Sequence, residues 1–391
     1  MIKKIVLVLL TISLVAGCSK KVEKTATTIR FYGWSGDVKI NTWLDTYVKD
    51  TLKKEYNINF ERVVMDAPDI ITMLANEKEA DKKVGEADIV WINGANFAKA
   101  KEYDVLSEIN LKKIPNYSKN IDENASYLKT DFGEEISNLE VPYGIAQFTF
   151  VANTKIIPTF SNTDELMKVA KDNPGVITYP AVPDFTGSAF IRNVAYDIIG
   201  YEKIDQSSED KEELRKLLTP VFDYLNAIEP YLWQEGKTYP KEEAVMQKMY
   251  GDSQLGLTMS YTALLGPRNI SDGTFPKTSE SFVFKNGNIS NSHYLAIPFN
   301  SDNKDKSHQV LNFILSAAAQ SSKLDINNWG DLTVLTYDKL EKSDKKLFDE
   351  VYNSFGENIK LDEITKNNLP EVSGNKTVII DELWEEEVLN K

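Results

Sequence analysis

The sequence predicts an α/β protein of two lobes joined by two hinge crossings, on three observations. From Thr28 to Glu102, β-forming runs alternate with amphipathic helical ones, the order that builds a parallel sheet covered by helices. After residue 160 the same alternation restarts. Between the two stretches Val141 to Asn153 is extended throughout, longer than an ordinary strand of about five or six residues, and a second extended passage around Phe284 to Tyr294 returns. Each lobe is therefore expected to be Rossmann-like, with the chain visiting the two discontinuously.

The chain opens Met1-Ile2-Lys3-Lys4, runs apolar from Ile5 to Ala16 and reaches its one cysteine at Leu14-Val15-Ala16-Gly17-Cys18. Two lysines, a short apolar run and small residues before a cut form an export signal, too short for a stable membrane span. With Cys18 at the cut it also resembles the bacterial lipoprotein signal, in which that cysteine is lipidated. Residues 1–17 are thus expected to be a signal peptide and 18–27 a polar tether. The body begins with the strand Thr28 to Tyr32, broken by Gly33-Trp34-Ser35-Gly36, then a helix from Val38 to Tyr56 and a strand from Ile58 to Val64. A helix from Asp69 to Glu79, a buried-type strand from Ala87 to Ile92, the turn Asn93-Gly94-Ala95-Asn96 and a helix from Phe97 to Glu102 follow. Beyond the first crossing come a helix from Thr163 to Lys171, a strand from Val176 to Pro180 and a helix from Gly187 to Ile199. Helices from Glu209 to Ile228 and Lys241 to Tyr250 lead to the strand Leu255 to Ser260. Ser281 to Phe284, the turn Asn286-Gly287-Asn288 and His293 to Pro298 make the return, with a helix from Lys306 to Ala319. The first lobe is expected to span 28–145 and 290–325 and the second 146–289; 326–391, with helices near Asp344 to Tyr352 and Asp381 to Val388, has no assigned lobe.

Removing residues 1–17 moves the formal charge from −14 to −16, a balance that repels phosphate backbones and anionic lipid heads and disfavours nucleic-acid binding. Membrane contact is expected through a lipid on Cys18. One cysteine excludes a disulfide framework, and two histidines, His293 and His308, exclude a Cys/His metal cluster and weaken any nucleophile that needs a histidine base. No metal, cofactor or catalytic residue is expected.

Four stretches carry a likeness: Ala87-Asp88-Ile89-Val90-Trp91-Ile92-Asn93-Gly94-Ala95-Asn96-Phe97, Val141-Pro142-Tyr143-Gly144, Tyr179 to Phe190, and Trp329-Gly330-Asp331-Leu332-Thr333-Val334-Leu335. Over nearly the whole mature chain the sequence resembles a type II extracytoplasmic solute-binding protein of an ABC importer, in its YnjB-type branch. More weakly it is similar to thiamine-, polyamine- and iron-binding relatives. The resemblance implies the periplasmic-binding-protein type II fold and a monomer, lipid-anchored on the outer face of the cell membrane or in the periplasm. It implies delivery of a small-molecule solute to permease and ATPase subunits, and an aromatic loop after the first strand, here Tyr32-Gly33-Trp34-Ser35, facing the ligand.

In open α/β sheets ligands lie beyond the carboxyl ends of strands, so the loops there supply the candidates. Trp34, Ser35 and Asp37 offer a flat face, a hydroxyl and a charge, or Trp34 is core in a tight turn. Asn93 and Asn96 bind with their amides or cap the next helix. Tyr143 lines the cleft floor or shapes the hinge. Asp184, Phe185, Thr186 and Ser188, with Arg192 a turn into the helix, make a receptor for an anionic group, or Asp184 and Thr186 cap the helix and Arg192 pairs with an acidic surface neighbour. Tyr261 and Trp329 complete the set. Aromatic faces with carboxylates suit a cation, so a cationic or zwitterionic, thiamine- or amine-like solute is expected, with an anionic tail compatible at Ser188 and sugar stacking open to the same rings. The rival expectations are a secreted carboxylate-dependent hydrolase acting on glycans and a sensory or adhesive lipoprotein on the same fold.

Overall fold

The computed structural model describes residues 26–34, 38–355 and 361–391. The signal segment, Cys18, most of the tether, and Ser35 and Asp37 of the first loop lie outside the described residues.

β1 (Thr27–Gly33) leads through α1 (Val38–Thr42), a wider turn over Trp43–Val48 and α2 (Lys49–Tyr56) to β2 (Ile58–Val64). Asn57, left-handed at φ 52°, ends the helix and turns the chain into the strand. α3 (Ala67–Glu79), β3 (Ile89–Trp91) and α4 (Ala95–Glu102) continue the alternation. β1 runs parallel to both β2 and β3, as strands joined by helical crossovers must. α5 (Pro115–Asn120) and a small hairpin of β4 (Thr130–Asp131) and β5 (Glu134–Glu135) precede the first crossing.

That crossing is one extended run cut at Phe148: β6 (Glu140–Gln147) belongs to the first lobe and β7 (Thr149–Asn153) to the second. α6 (Thr163–Asp172), α7 (Phe185–Ile199), α8 (Tyr201–Asp205), α9 (Lys211–Ile228), α10 (Glu243–Gly251), β8 (Leu257–Ser260), α11 (Leu265–Ser271) and β9 (Ser279–Phe282) follow. β7 pairs antiparallel with β8 on one side and β9 on the other, so the described sheet of the second lobe lacks the parallel order of the first. The predicted strand 176–180 runs extended but joins no ladder; it carries single backbone bonds, such as Gly256 N–H to the Val176 carbonyl at 2.7 Å, and Pro180 removes a donor at its end.

The return crossing is β10 (Asn288–Ala296), antiparallel to β6 and, at its end, to β3. The six-stranded sheet thus reads β2-β1-β3-β10-β6, with residues 368–369 adding a short strand parallel to the start of β10. α12 (Lys304–Ile314), α13 (Ala317–Leu324), α14 (Lys342–Ser354), α15 (Leu361–Thr365), β11 (Asn368–Leu369) and α16 (Gly374–Trp384) complete the chain.

Side-chain alternation divides the core. On one face of the first sheet Ile29, Phe31, Trp91, Tyr143 and Leu295 pack with Trp43, Leu311 and Trp329; on the other, Tyr32, Val90, Tyr294 and Ala296 pack with Ile70, Leu74 and Phe97. A separate cluster around Phe150, Phe190, Leu218 and Leu257 fills the second lobe. The C-terminal stretch serves both: Leu332, Leu340, Phe348 and Ile364 pack in the first lobe, Val372, Ile380, Leu383 and Trp384 in the second. The chain therefore passes between lobes a third time, at β11. No helix among the described residues is long and apolar enough to cross a membrane.

Candidate functional site

β1 ends at Gly33 and leaves Trp34 42% exposed, its ring 5.6 Å from Trp91 at the end of β3. Behind this pair the two crossings bring further rings together. Tyr143 of β6 meets Trp91 edge-on at 5.4 Å; His293 of β10 meets Trp91 at 5.2 Å and stacks on Trp329 at 5.7 Å. Tyr143 and Trp329 are each 1% exposed, so of the predicted aromatics only Trp34 has a free face here. Beneath the rings Lys323 Nζ lies 2.5 Å from Asp331 Oδ2 and His293 Nε2 lies 3.2 Å from Asp331 Oδ1. Burial favours the neutral Asp331, but Lys323 and His293 outweigh it and hold its pKa below the ordinary value; burial lowers Lys323, with Asp331 opposing. Gly144 makes room for this group, since a Cβ there would lie 2.2 Å from Asp331 Oδ2.

Asn93 and Asn96 open α4 without capping it: Gly94 is the N-cap, and neither amide side chain makes a hydrogen bond among the described residues. The Gly94 N–H is instead donated to Asp131 Oδ2 at 2.5 Å.

In the second lobe Asp184 closes the start of α7. Its Oδ1 accepts the N–H groups of Thr186 and Gly187 at 2.9 and 3.0 Å, and its Oδ2 accepts that of Glu243 at 3.1 Å. Burial nevertheless holds its pKa above the ordinary carboxylate range. The Thr186 hydroxyl donates to Glu243, and Ser188 donates to Asp381 Oδ1 at 2.5 Å. Arg192, 0% exposed, gives Nη1 to Ser188, Nε to Glu371 Oε2 at 3.2 Å and Nη2 to the Tyr261 hydroxyl at 3.3 Å. Tyr261 and the Asn291 amide in turn donate to Glu371 Oε1 at 2.6 and 3.0 Å. The anion receptor expected at this helix start is corrected by these contacts: its backbone donors are taken by Asp184 and its guanidinium by Glu371. Phe185 stays 48% exposed, 4.8 Å from the Tyr261 ring.

A cavity of about 230 Å³ opens where residues 126–133, β10 and residues 368–371 meet; Thr130, Asp131, Ser290, Ser292, Tyr294 and Glu371 are among its walls. Strand alternation turns Ser290, Ser292 and Tyr294 to the face opposite His293, while Asn291, on the same face as His293, reaches the cavity wall at Glu371. The charged residues lining it are Asp131 and Glu371, with no lysine or arginine. Glu371 is already matched by Arg192; Asp131, 2% exposed, has the one backbone N–H, and burial pushes its pKa up to about 8. Sequence reasoning missed Asp131, Tyr294, Glu371 and His293. Asp131 sits in a stretch without periodicity, and Glu371 meets Arg192 from 179 residues away, so neither carries a local signal. No group of three or more His, Cys, Asp or Glu able to hold a metal occurs among the described residues.

Residues 47–336 match the family model described as bacterial extracellular solute-binding protein. Protein YnjB of Escherichia coli (strain K12) is 34% identical over 323 residues, 82% of each chain. Among solved structures the chain is similar to the spermidine/putrescine ABC transporter substrate-binding protein PotD from Streptococcus pneumoniae, at TM-score 0.64 and 15% identity over 93% of this chain and 98% of that one. It is also similar to the Tp0655 (TpPotD) lipoprotein of Treponema pallidum, at TM-score 0.62 and 15% identity over 92% and 99%. Trichodesmium IdiA (FutA), solved with iron and citrate, matches at TM-score 0.60 and 14% identity over 93% and 99%. At such identities these three speak for the fold.

Proposed function

Since the chain belongs to the bacterial extracellular solute-binding protein family, we propose that it captures one small cationic or zwitterionic solute between its lobes and delivers it to the permease and ATPase of an ABC importer. The cavity carries this reading: the one charged group on its wall without a counter-charge is Asp131, and its other polar atoms are hydroxyls and amides able to accept from an ammonium group. Outside the cavity walls, Trp34 after β1 and Phe185 at the start of α7 each keep an exposed face against a buried ring, a further pair of surfaces that suit a cation. A cation against such faces gains about 0.5–2 kcal/mol per contact. The pneumococcal relative is named for spermidine and putrescine, which agrees with an amine-like solute. An anionic end at Ser188 is not carried forward. In this reading the protein is a monomer held outside the membrane by a lipid on Cys18, and it leaves its solute unaltered. A hydrolase would need two free carboxyls facing the cavity, and of the two acids on its wall Glu371 is bound by Arg192, Tyr261 and Asn291, which leaves Asp131 alone there.

The test is thermal unfolding of the mature protein with thiamine, putrescine, spermidine, neutral sugars and oxyanions. At about 100 times its dissociation constant a true solute adds about 2.7 kcal/mol to stability. Amines or thiamine are expected to raise the melting temperature. Stabilisation by sugars or oxyanions alone would replace the proposed ligand class, and turnover of a glycan would replace the function.

A further inference from the structure

We propose that solute capture here exchanges a proton for a cation: Asp131 holds a proton while the cavity is empty and loses it to bulk solvent when an ammonium group enters, with Glu140 as the second carboxyl of the pair. The inference rests on the cationic-solute reading and adds how the site manages its charge.

The geometry around Asp131 leaves its charge unmatched from every side. On α4, the Gly94 N–H supplies one hydrogen bond, while Lys101, further along the helix, gives its Nζ to Glu134 Oε2 and the Glu135 carbonyl at 3.1 and 2.7 Å. Glu134, on the paired strand β5, is therefore occupied. From β6, Glu140 is 1% exposed and neither of its carboxyl oxygens has a partner among the described residues. From β10, Tyr294 sits diagonally across the ladder from Glu140; it donates its hydroxyl to the Tyr127 carbonyl at 3.0 Å and so adds no positive charge. The remaining charged neighbour, Glu371, is an acid already bound to Arg192.

Two buried carboxylates without a cation cannot both ionise cheaply, so the empty site keeps protons. Burial pushes Asp131 up to about 8, with Glu371 adding to it, and lifts Glu140 well above its ordinary range, with Asp131 adding and Lys101 opposing. An ammonium group placed against Asp131 supplies the missing positive charge. The neutral carboxyl then ionises, its proton passes to buffer, and the solute keeps all its bonds and its charge.

Isothermal titration with spermidine, putrescine and thiamine as probes, at neutral pH in buffers of different ionisation enthalpy, reads the exchange directly. Roughly one proton is expected to be released per probe bound, with affinity rising about tenfold per pH unit below pH 8. Difference infrared spectroscopy should show the protonated-carboxyl band disappearing on binding, and Asp131→Asn should remove both the band change and the proton release. A probe that binds with buffer-independent heat and a flat pH profile overturns the exchange and leaves the cationic reading intact. Wild-type proton release in Asp131→Asn overturns the assignment to Asp131. If no cationic probe binds at any pH, the cationic reading itself fails and the inference falls with it.

Discussion

Trp34 and Trp329 are the same side chain put to opposite uses. Trp329 is buried among Trp43, Trp91, Tyr143 and His293, so Trp329→Ala is expected to cost about 3–5 kcal/mol, seen as a large loss in denaturant midpoint. Trp34 keeps a free face, so Trp34→Ala should weaken solute binding while leaving the apo melting temperature nearly unchanged; a large apo loss would make Trp34 a core residue. Arg192→Met leaves Glu371 buried without its cation and is expected to cost about 3–5 kcal/mol. The exposure of Trp34 was legible because a tryptophan beside turn glycines at a strand end has little core to enter. Arg192 was legible as important, but not its partner: Glu371 lies in a proline-flanked segment, and only the third passage between lobes brings it to α7.

Among the elements, α7 was foreseen to within two residues, because Asp184 at its start and the apolar run behind it are local signals. Capping by Asp184 was one of two readings the sequence left open; that its second oxygen also takes the Glu243 N–H was not legible, since Glu243 arrives from α10. Asp184→Ala should cost about 1–2 kcal/mol, the upper range for a cap, measured by chemical denaturation. Gly187→Ala should be worse than the helix preference for alanine suggests, because the new Cβ would stand 2.2 Å from the Pro180 carbonyl oxygen. The long run Val141 to Asn153 was read as a crossing from its length alone. Its division at Phe148 follows from pairing with different sheets, which no periodicity encodes. The predicted strand 176–180 forms no ladder because its carbonyls are taken singly by different segments, Val176 by Gly256 N–H and Ile177 by Trp233 N–H.

For the molecule as a whole the reading predicts closure on the solute, observed as a smaller radius of gyration by X-ray scattering; a tightly bound solute with unchanged scattering would reject a hinge mechanism. The buried acids also give the apo protein a pH signature. Burial raises Asp131 to about 8 and Asp381 to about 6, and Glu140 upward as well. In the unfolded chain such groups ionise near pH 4, so between pH 4 and 8 the folded state holds protons the unfolded state has lost. Stability from these groups therefore falls as pH rises through that window. Calorimetry should find a higher melting temperature at pH 5.5 than at pH 8, with Asp131→Asn flattening the slope; a curve that climbs toward pH 8 would contradict the burial of these acids.

The triple passage of the chain between lobes makes the protein indivisible. β10 is inserted between β3 and β6, so the first sheet stays incomplete until the synthesis of residue 296. The second lobe waits longer, for Trp384, whose indole N–H is donated to the Tyr179 hydroxyl at 3.2 Å. Each lobe draws core residues from distant stretches of chain, the first as far as Ile364 and the second as far as Val388. The order of the strands thus postpones closure of both bodies, so late stretches of the chain decide when each can form.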